Sequence, residues 1–346
     1  MAADVDDFLA TMVAPARPVA IAFALALVRE RYGLEPEASR LTGERDENFR
    51  LRSPGGVEYV LKIANPAESP AETDFQTAAL LHIEEADPAL PCPRVLRERS
   101  GGAYVEFTDE GGLGRTARIL TYLPGRLLGA ARRSQRQRAA CGQIGARLAL
   151  ALRGFEHPAE QRRIVWDLRH TGHMRALLGE LPGLPFRSTA RELVERLARR
   201  IDSELPHLRH QVVHNDLNPL NILVDPADES RVTGVIDFGD MTRTALIADV
   251  AVTAAELIPP DCVDPAEARV SVLDVAGAYH ERVPLLPAEL ALLGALTAAR
   301  LVMTVVIHEW HVQRNPASGH FKPLAEDFMR ARLHIAEALL LEEFRL

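Results

Sequence analysis

The chain has 346 residues, 47% hydrophobic and 25% charged, enough for a sizeable core in one large domain or two moderate ones. Its formal net charge of −8 argues against nucleic acid as a main partner, because phosphate backbones reward basic surface, while leaving room for a locally basic cleft around a small phosphate ligand. Cys92, Cys141 and Cys262 are far apart and odd in number, which excludes a disulfide framework or a zinc motif and predicts a reducing, cytoplasmic location.

The first apolar run, PVAIAFALALV at 18–28, follows Asp4, Asp6 and Asp7, where a signal sequence would carry positive charge. It is too short to span a bilayer and reads as a buried helix ending near Tyr32, with Gly33 as its C-cap. LTGERDENFRLR (41–52) then leads through SPGG into VEYVLKI (57–63), the pattern of a hairpin. AETDFQTAALLHIEEA (71–86) has helical spacing, with Phe75, Ala78, Ala79 and Ile83 on one face. PCPRVL, GAYVEF and TARILTYL read as short strands or extended pieces, and Pro124–Gly125 closes the region. Beyond Leu127 the chain turns to long Ala/Leu/Arg helices, at 134–153 and 188–204, interrupted by a strand-rich island at 212–238. The expected fold is α+β with two lobes: a small antiparallel-sheet lobe over 1–124 and a larger, mainly helical lobe over 125–346.

The island carries the chemistry. VVHNDLNPLNILV (212–224) breaks an apolar strand with five polar residues, and buried polar side chains are costly unless paired or put to use. His214, Asp216 and Asn221 stand at H-x-D-x-x-x-x-N spacing, and GVIDFGD (234–240) places Asp237 just after a second apolar strand. The turn-rich DPADES between them lets NILVD and VTGVID pair as a hairpin. Asn221 and Asp237 then share one end of adjacent strands, and Asp216 lies in the loop entering that end. Such convergence suits metal-assisted phosphoryl transfer. Mg²⁺ takes one or two oxygen ligands from protein, which Asn221 and Asp237 supply, while Asp216 accepts the proton of an attacking hydroxyl, the division of labour in protein kinases. His214 orients the loop.

HNDLNPLNIL and IDFGD resemble the catalytic loop and metal-binding segment of the aminoglycoside phosphotransferase and choline kinase superfamily, protein-kinase relatives that act on small molecules. LTGERDENFRL, YVLKI, WDLRH (166–170) and IDFGDM are most similar to hydroxylysine kinase-like enzymes. The resemblance spans nearly the whole chain and implies a protein-kinase-like fold, with 1–124 the nucleotide-binding lobe and 125–346 the catalytic and substrate lobe. Lys62 takes the position of the lysine that holds the nucleotide phosphates, with Glu72, Asp74 and Gln76 all within range as its helix partner. GERDEN (43–48) lacks G-x-G-x-x-G, leaving backbone amides from Arg45 to Asn48 to cover the phosphates. ILTYLPG looks like the hinge, where the backbones of Thr121 and Leu123 bond the purine of ATP or GTP. Asp249 matches a structural position, a buried helix acid bonded to the catalytic loop.

Acceptor residues are read from charge and placement. Trp166 is either core or a substrate wall, and Asp167 either an N-cap or an amine ligand. ARLVMTVVIHEWH (299–311) is a long apolar helix bearing Arg300, Glu309 and Trp310. Arg300 is placed to bind a carboxylate bidentately, with Asp240 and Glu309 receiving an ammonium and Trp310 giving a cation–π contact. The histidines of HEWH are three residues apart rather than the four of H-E-x-x-H, so no zinc site is expected. The expected activity is transfer of the γ-phosphate of ATP or GTP, with Mg²⁺, to a hydroxyl of an amino alcohol or hydroxy amino acid, hydroxylysine-like compounds first. The alternative is an antibiotic-modifying aminoglycoside phosphotransferase. A protein kinase is disfavoured because DVAVTAAEL follows IDFGD within a dozen residues, leaving no activation segment. A non-catalytic nucleotide-binding scaffold is disfavoured because Asp216, Asn221 and Asp237 are all present. Neither nucleic acid nor membrane is expected as a partner.

Overall fold

The computed structural model describes residues 17–43, 46–131, 133–316 and 322–346. The chain divides into two compact units: one runs up to Pro124 and adds His157–Ala159, the other comprises Gly125–Glu156 and Glu160–Leu346.

In the first unit, α1 (Ile21–Tyr32) stops at Gly33, whose φ of +70° is left-handed and whose N–H returns to the Arg29 carbonyl, a turn that favours glycine. Strands β1 (Glu37–Leu41), β2 (Glu47–Arg52) and β3 (Glu58–Ile63) follow, then α2 (Pro70–Ala86), β4 (Val95–Leu96), β5 (Val105–Thr108) and β6 (Gly114–Thr121). They form one antiparallel sheet in the order β1-β2-β3-β6-β4, with β5 also on β6. Alternation along the strands turns Phe49, Leu51, Leu61, Ile63, Ala117 and Ile119 into a core with Ala24, Leu27 and Val28 of α1. The opposite face carries Asn48, Lys62 and Arg118, which are direct cross-strand partners. Helix α2 starts with Pro70 behind a capping box, the Glu72 carboxylate accepting the Ser69 N–H at 2.8 Å. His157 returns to this unit through Asp74, at 3.1 Å.

The second unit opens with β7 (Arg126–Leu127) and α3 (Gln135–Ala151), then a 3₁₀ turn (Leu168–His173), α4 (Met174–Glu180) and α5 (Arg187–Glu204). Short strands β8 (His210–Val213), β9 (Ile222–Val224), β10 (Val232–Val235) and β11 (Thr242–Ala245) follow, and α6 (Leu246–Leu257), α7 (Pro265–His280), α8 (Pro287–Arg314) and α9 (Glu326–Leu340) complete the unit. β10-β9-β7 and β11-β8 form two small antiparallel sheets. Helix α8 is long and apolar enough to cross a membrane, but 89% of its most apolar stretch is buried inside the unit, under α5, α6 and α9. Surrounded in this way, it is apolar all round rather than on one stripe. At Gly294 a side chain would collide with the Leu339 carbonyl, so glycine is what lets α8 and α9 approach.

Candidate active site

The β9–β10 hairpin predicted from the turn-rich DPADES is present. Ile222 pairs with Val235, and the Ile236 N–H donates to the Asn221 carbonyl at 2.9 Å. Asn221 and Asp237 therefore lie at the same end of the ribbon, where the loop from β8 enters. Two residues here are left-handed without being glycine, Asn215 at φ +65° and Asp237 at φ +61°. Asn and Asp bear that conformation better than other side chains, and the fold holds it with named bonds. The Asn215 N–H donates to Asp249 Oδ1 on α6 at 2.7 Å. Asp249 is buried, which pushes its carboxyl up to about 7 against the pull of that N–H.

His214 is fully buried, and burial pushes it down to about 4, so the ring is neutral. Its Nδ1 accepts the Asp216 N–H at 3.3 Å, which leaves Nε2–H to donate to the Ile236 carbonyl at 3.2 Å. The ring also meets Phe238 edge-on, centroids 4.8 Å apart. His214 thus braces the Asp216 loop against the segment carrying Asp237 and does not titrate near neutrality.

Asp216 Oδ2 accepts from Asn218 Nδ2 at 2.8 Å and Asn221 Nδ2 at 2.7 Å, and Oδ1 accepts from Arg300 Nη2 at 2.9 Å. Burial raises its carboxyl above the usual range; Arg300 opposes this, and the neighbouring Asp240 and Glu256 add to it. Arg300, on α8, is 3% exposed. Its Nε donates to Glu256 Oε1 on α6 at 2.8 Å, and its Cζ lies over the Trp166 ring, 4.4 Å from the centroid. Because Asn221 Nδ2 is turned onto Asp216, its Oδ1 is the atom left for a cation. The Asp237 carboxylate is exposed, with Oδ1 3.3 Å from the Gly239 N–H. One amide oxygen and one carboxylate are the donor set that a hard divalent cation such as Mg²⁺ accepts, with water and phosphate completing its shell.

Four acceptor assignments are corrected. Arg300 has Nε and Nη2 committed to Glu256 and Asp216, so it is no free fork for a substrate carboxylate. Asp167 is fully buried, caps the 3₁₀ turn through the Arg169 N–H at 2.9 Å and pairs with the Arg169 guanidinium; it is an N-cap. Trp310 is 1% exposed and donates its indole N–H to Glu180 at 2.8 Å, and Glu309 accepts the Leu324 N–H at 2.7 Å. At 1.5 Å rise per residue these two sit roughly 14 Å along α8 from Arg300, away from Asp216. Trp166 and Asp240 lie beside the site.

In the first unit, Lys62 on β3 sits between Asn48 on β2 and Arg118 on β6. Of the three helix candidates, Gln76 accepts from Arg118 Nη2, Asp74 pairs with His157 and Glu72 belongs to the capping box. Thr121 ends β6 with its N–H on the Arg94 carbonyl at 2.9 Å, and Leu123 follows, half-buried. Arg45 lies outside the described residues. The sequence reading missed Asn218 and Glu256. Glu256 had a signal: it follows Asp249 by seven residues in an otherwise apolar helix, hence on the same face two turns on.

Residues 37–283 match the family model described as "Phosphotransferase enzyme family". The chain is 28% identical over 336 residues to the hydroxylysine kinase of Mus musculus, covering 89% of this chain and 87% of that one. Among solved structures it is similar to an amicoumacin kinase in complex with AMP-PNP and Ca²⁺ (TM-score 0.69, 15% identity, 92% of this chain and 93% of the other). It is similar also to a microcompartment-associated aminopropanol kinase (TM-score 0.63, 18% identity, 93% and 95%). The fold is therefore protein-kinase-like.

Proposed function

The chain belongs to the phosphotransferase enzyme family, and from that premise we propose that it phosphorylates the hydroxyl of a small amino alcohol or hydroxy amino acid, hydroxylysine-like compounds first, using ATP or GTP with Mg²⁺. The observation that carries this reading is Asp216 bonded to Asn221 at the mouth of the hairpin that also presents Asp237. The acceptor's O–H proton passes to Asp216 as its oxygen bonds the γ-phosphorus. The bond from that phosphorus to the β,γ-bridging oxygen breaks, and the nucleoside diphosphate leaves. Mg²⁺, when bound by Asn221 Oδ1 and Asp237, neutralises phosphate charge. In the first unit, Lys62 and Asn48 are assigned to the phosphates, and the Thr121 carbonyl and the Leu123 backbone to the purine, the Thr121 N–H being held by Arg94.

Charge around the base supports an amino-bearing acceptor. Asp216 has Asp240 and Glu256 as acidic neighbours beside Arg300, and acids that close to the base favour an ammonium near the reacting hydroxyl. Two of the similar proteins are named for amino-bearing hydroxyl compounds, hydroxylysine and aminopropanol. The test is a coupled nucleotide-consumption screen of the purified protein against hydroxylysine, homoserine, choline, ethanolamine and aminoglycosides, with ATP and GTP in parallel. Turnover of an amino alcohol or hydroxy amino acid is expected. Selective turnover of an aminoglycoside would instead favour the antibiotic-modifying reading, for which acids beside the base are equally suited.

A further inference from the structure

We infer that Arg300 is the positioning residue of the catalytic base: it fixes the Asp216 carboxylate so that Oδ1 receives the acceptor's proton. The inference rests on the reading of Asp216 as that base. An ionised carboxylate offers about four lone-pair sites. On Oδ2 two are filled, by the amides of Asn218 and Asn221, and on Oδ1 one is filled, by Arg300 Nη2. The open site is on Oδ1, beside the guanidinium, so the acceptor hydroxyl meets the base at the oxygen that Arg300 holds. Without Arg300, only the two amides on Oδ2 would restrain the carboxylate, and it could turn about them.

Arg300 is itself fixed from three sides. Glu256 takes its Nε at 2.8 Å, the Trp166 ring lies against its face at 4.4 Å, and Asp216 takes its Nη2 at 2.9 Å. Only a planar fork can donate to two carboxylates in fixed directions while stacking on an indole. The three contacts come from α6, from the segment before the 3₁₀ turn and from the loop after β8, so Arg300 ties the first two to the loop that carries the carboxylate. Its Nη1 has no hydrogen-bond partner among the described residues. A rival role follows from that atom: it could take the carboxylate of a hydroxy amino acid, which would make Arg300 a binding residue.

Steady-state kinetics of Arg300→Ala and Arg300→Lys, with an acceptor that has a carboxylate (hydroxylysine) and one that has none (ethanolamine), separate the two roles. Positioning lowers kcat for both acceptors by the same factor, about a hundredfold for alanine, with acceptor KM and nucleotide affinity within a fewfold of the parent. Lysine, which keeps the charge without the fork, restores part of the loss. Because Arg300 acts only through Asp216, Arg300→Ala costs nothing further in an Asp216→Asn background. A raised KM confined to the carboxylate-bearing acceptor, with kcat kept, overturns the inference. So does a full additional loss in the double variant. Near-parental turnover of Asp216→Asn alone would sink the base assignment itself, a result distinct from either. Melting curves of both Arg300 variants show that the folded enzyme is being compared, and the lysine variant carries the test if alanine does not fold.

Discussion

Asp216 has one open lone pair, three hydrogen bonds and two acidic neighbours, so its usefulness as a base and its cost to the fold come from the same surroundings. Burial and the fields of Asp240 and Glu256 hold its folded-state pKa above its unfolded value. Between those two values the native state binds a proton that the unfolded chain has released, so stability falls as pH rises through that window. Asparagine has nearly the same shape but one acceptor oxygen, so its N–H₂ faces one of the donors from Asn218, Asn221 or Arg300. Asp216→Asn is expected to lose about a hundredfold or more in turnover and, having no carboxyl to ionise, to lose the fall in stability with rising pH that the parent shows across that window. Thermal melts across that pH range, beside turnover, check both halves. A variant whose stability still falls with pH as the parent's does would show that Asp216 is not the group behind that slope.

At the scale of elements, the bond from the Asn215 N–H to Asp249 Oδ1 ties the catalytic loop to α6, and it holds a left-handed asparagine. Asp249→Ala leaves a buried N–H unpaired and should cost about 1–3 kcal/mol in urea unfolding. Asp249→Asn keeps the acceptor oxygen. With the folded-state carboxyl near 7 and an ordinary value of 3.8, the native parent pays for ionisation increasingly from about pH 4 to 7 and at a constant level above. The asparagine variant should thus gain on the parent between pH 5 and pH 8, and parallel unfolding curves at the two pH values would count against a buried ionised Asp249. This loop and its hairpin were legible in the sequence because their determinants are local: a turn-rich tip, two apolar strands and polar residues at fixed offsets. Gly33 as a C-cap and the helix at 71–86 were legible for the same reason. The partners of Arg300 were not, since Asp216 is 84 residues away and Glu256 is 44. Helix α8 gives no help with phase either. Being apolar on every side, it has no stripe to show that Arg300 faces the loop while Trp310 packs on Glu180. Strands β7 and β11, of two and four residues, are too short for alternation to be read.

For the molecule as a whole, a formal charge of −8 repels a triphosphate, so nucleotide affinity has to come from local cations and from the divalent ion that accompanies it. A ligand bound only by the folded state stabilises it by RT ln(1 + [L]/Kd), about 2.7 kcal/mol at a hundred times Kd. Nucleotide binding is therefore read directly as a rise in melting temperature. With Mg²⁺ present, ATP or GTP should raise the melting temperature of the parent, and chelation with EDTA should remove most of that rise. Asp237→Ala should lose the Mg²⁺-dependent part and keep the small metal-free part, because it removes an oxygen ligand and leaves the first unit untouched. Lys62→Ala should reduce the shift with and without metal, because its ammonium acts on the phosphates themselves. The two variants thus fail in different ways, which separates the metal role from the phosphate role without relying on turnover. An Asp237→Ala protein that loses equal shares of both parts would make Asp237 a structural residue, held left-handed after β10 for the sake of the hairpin alone.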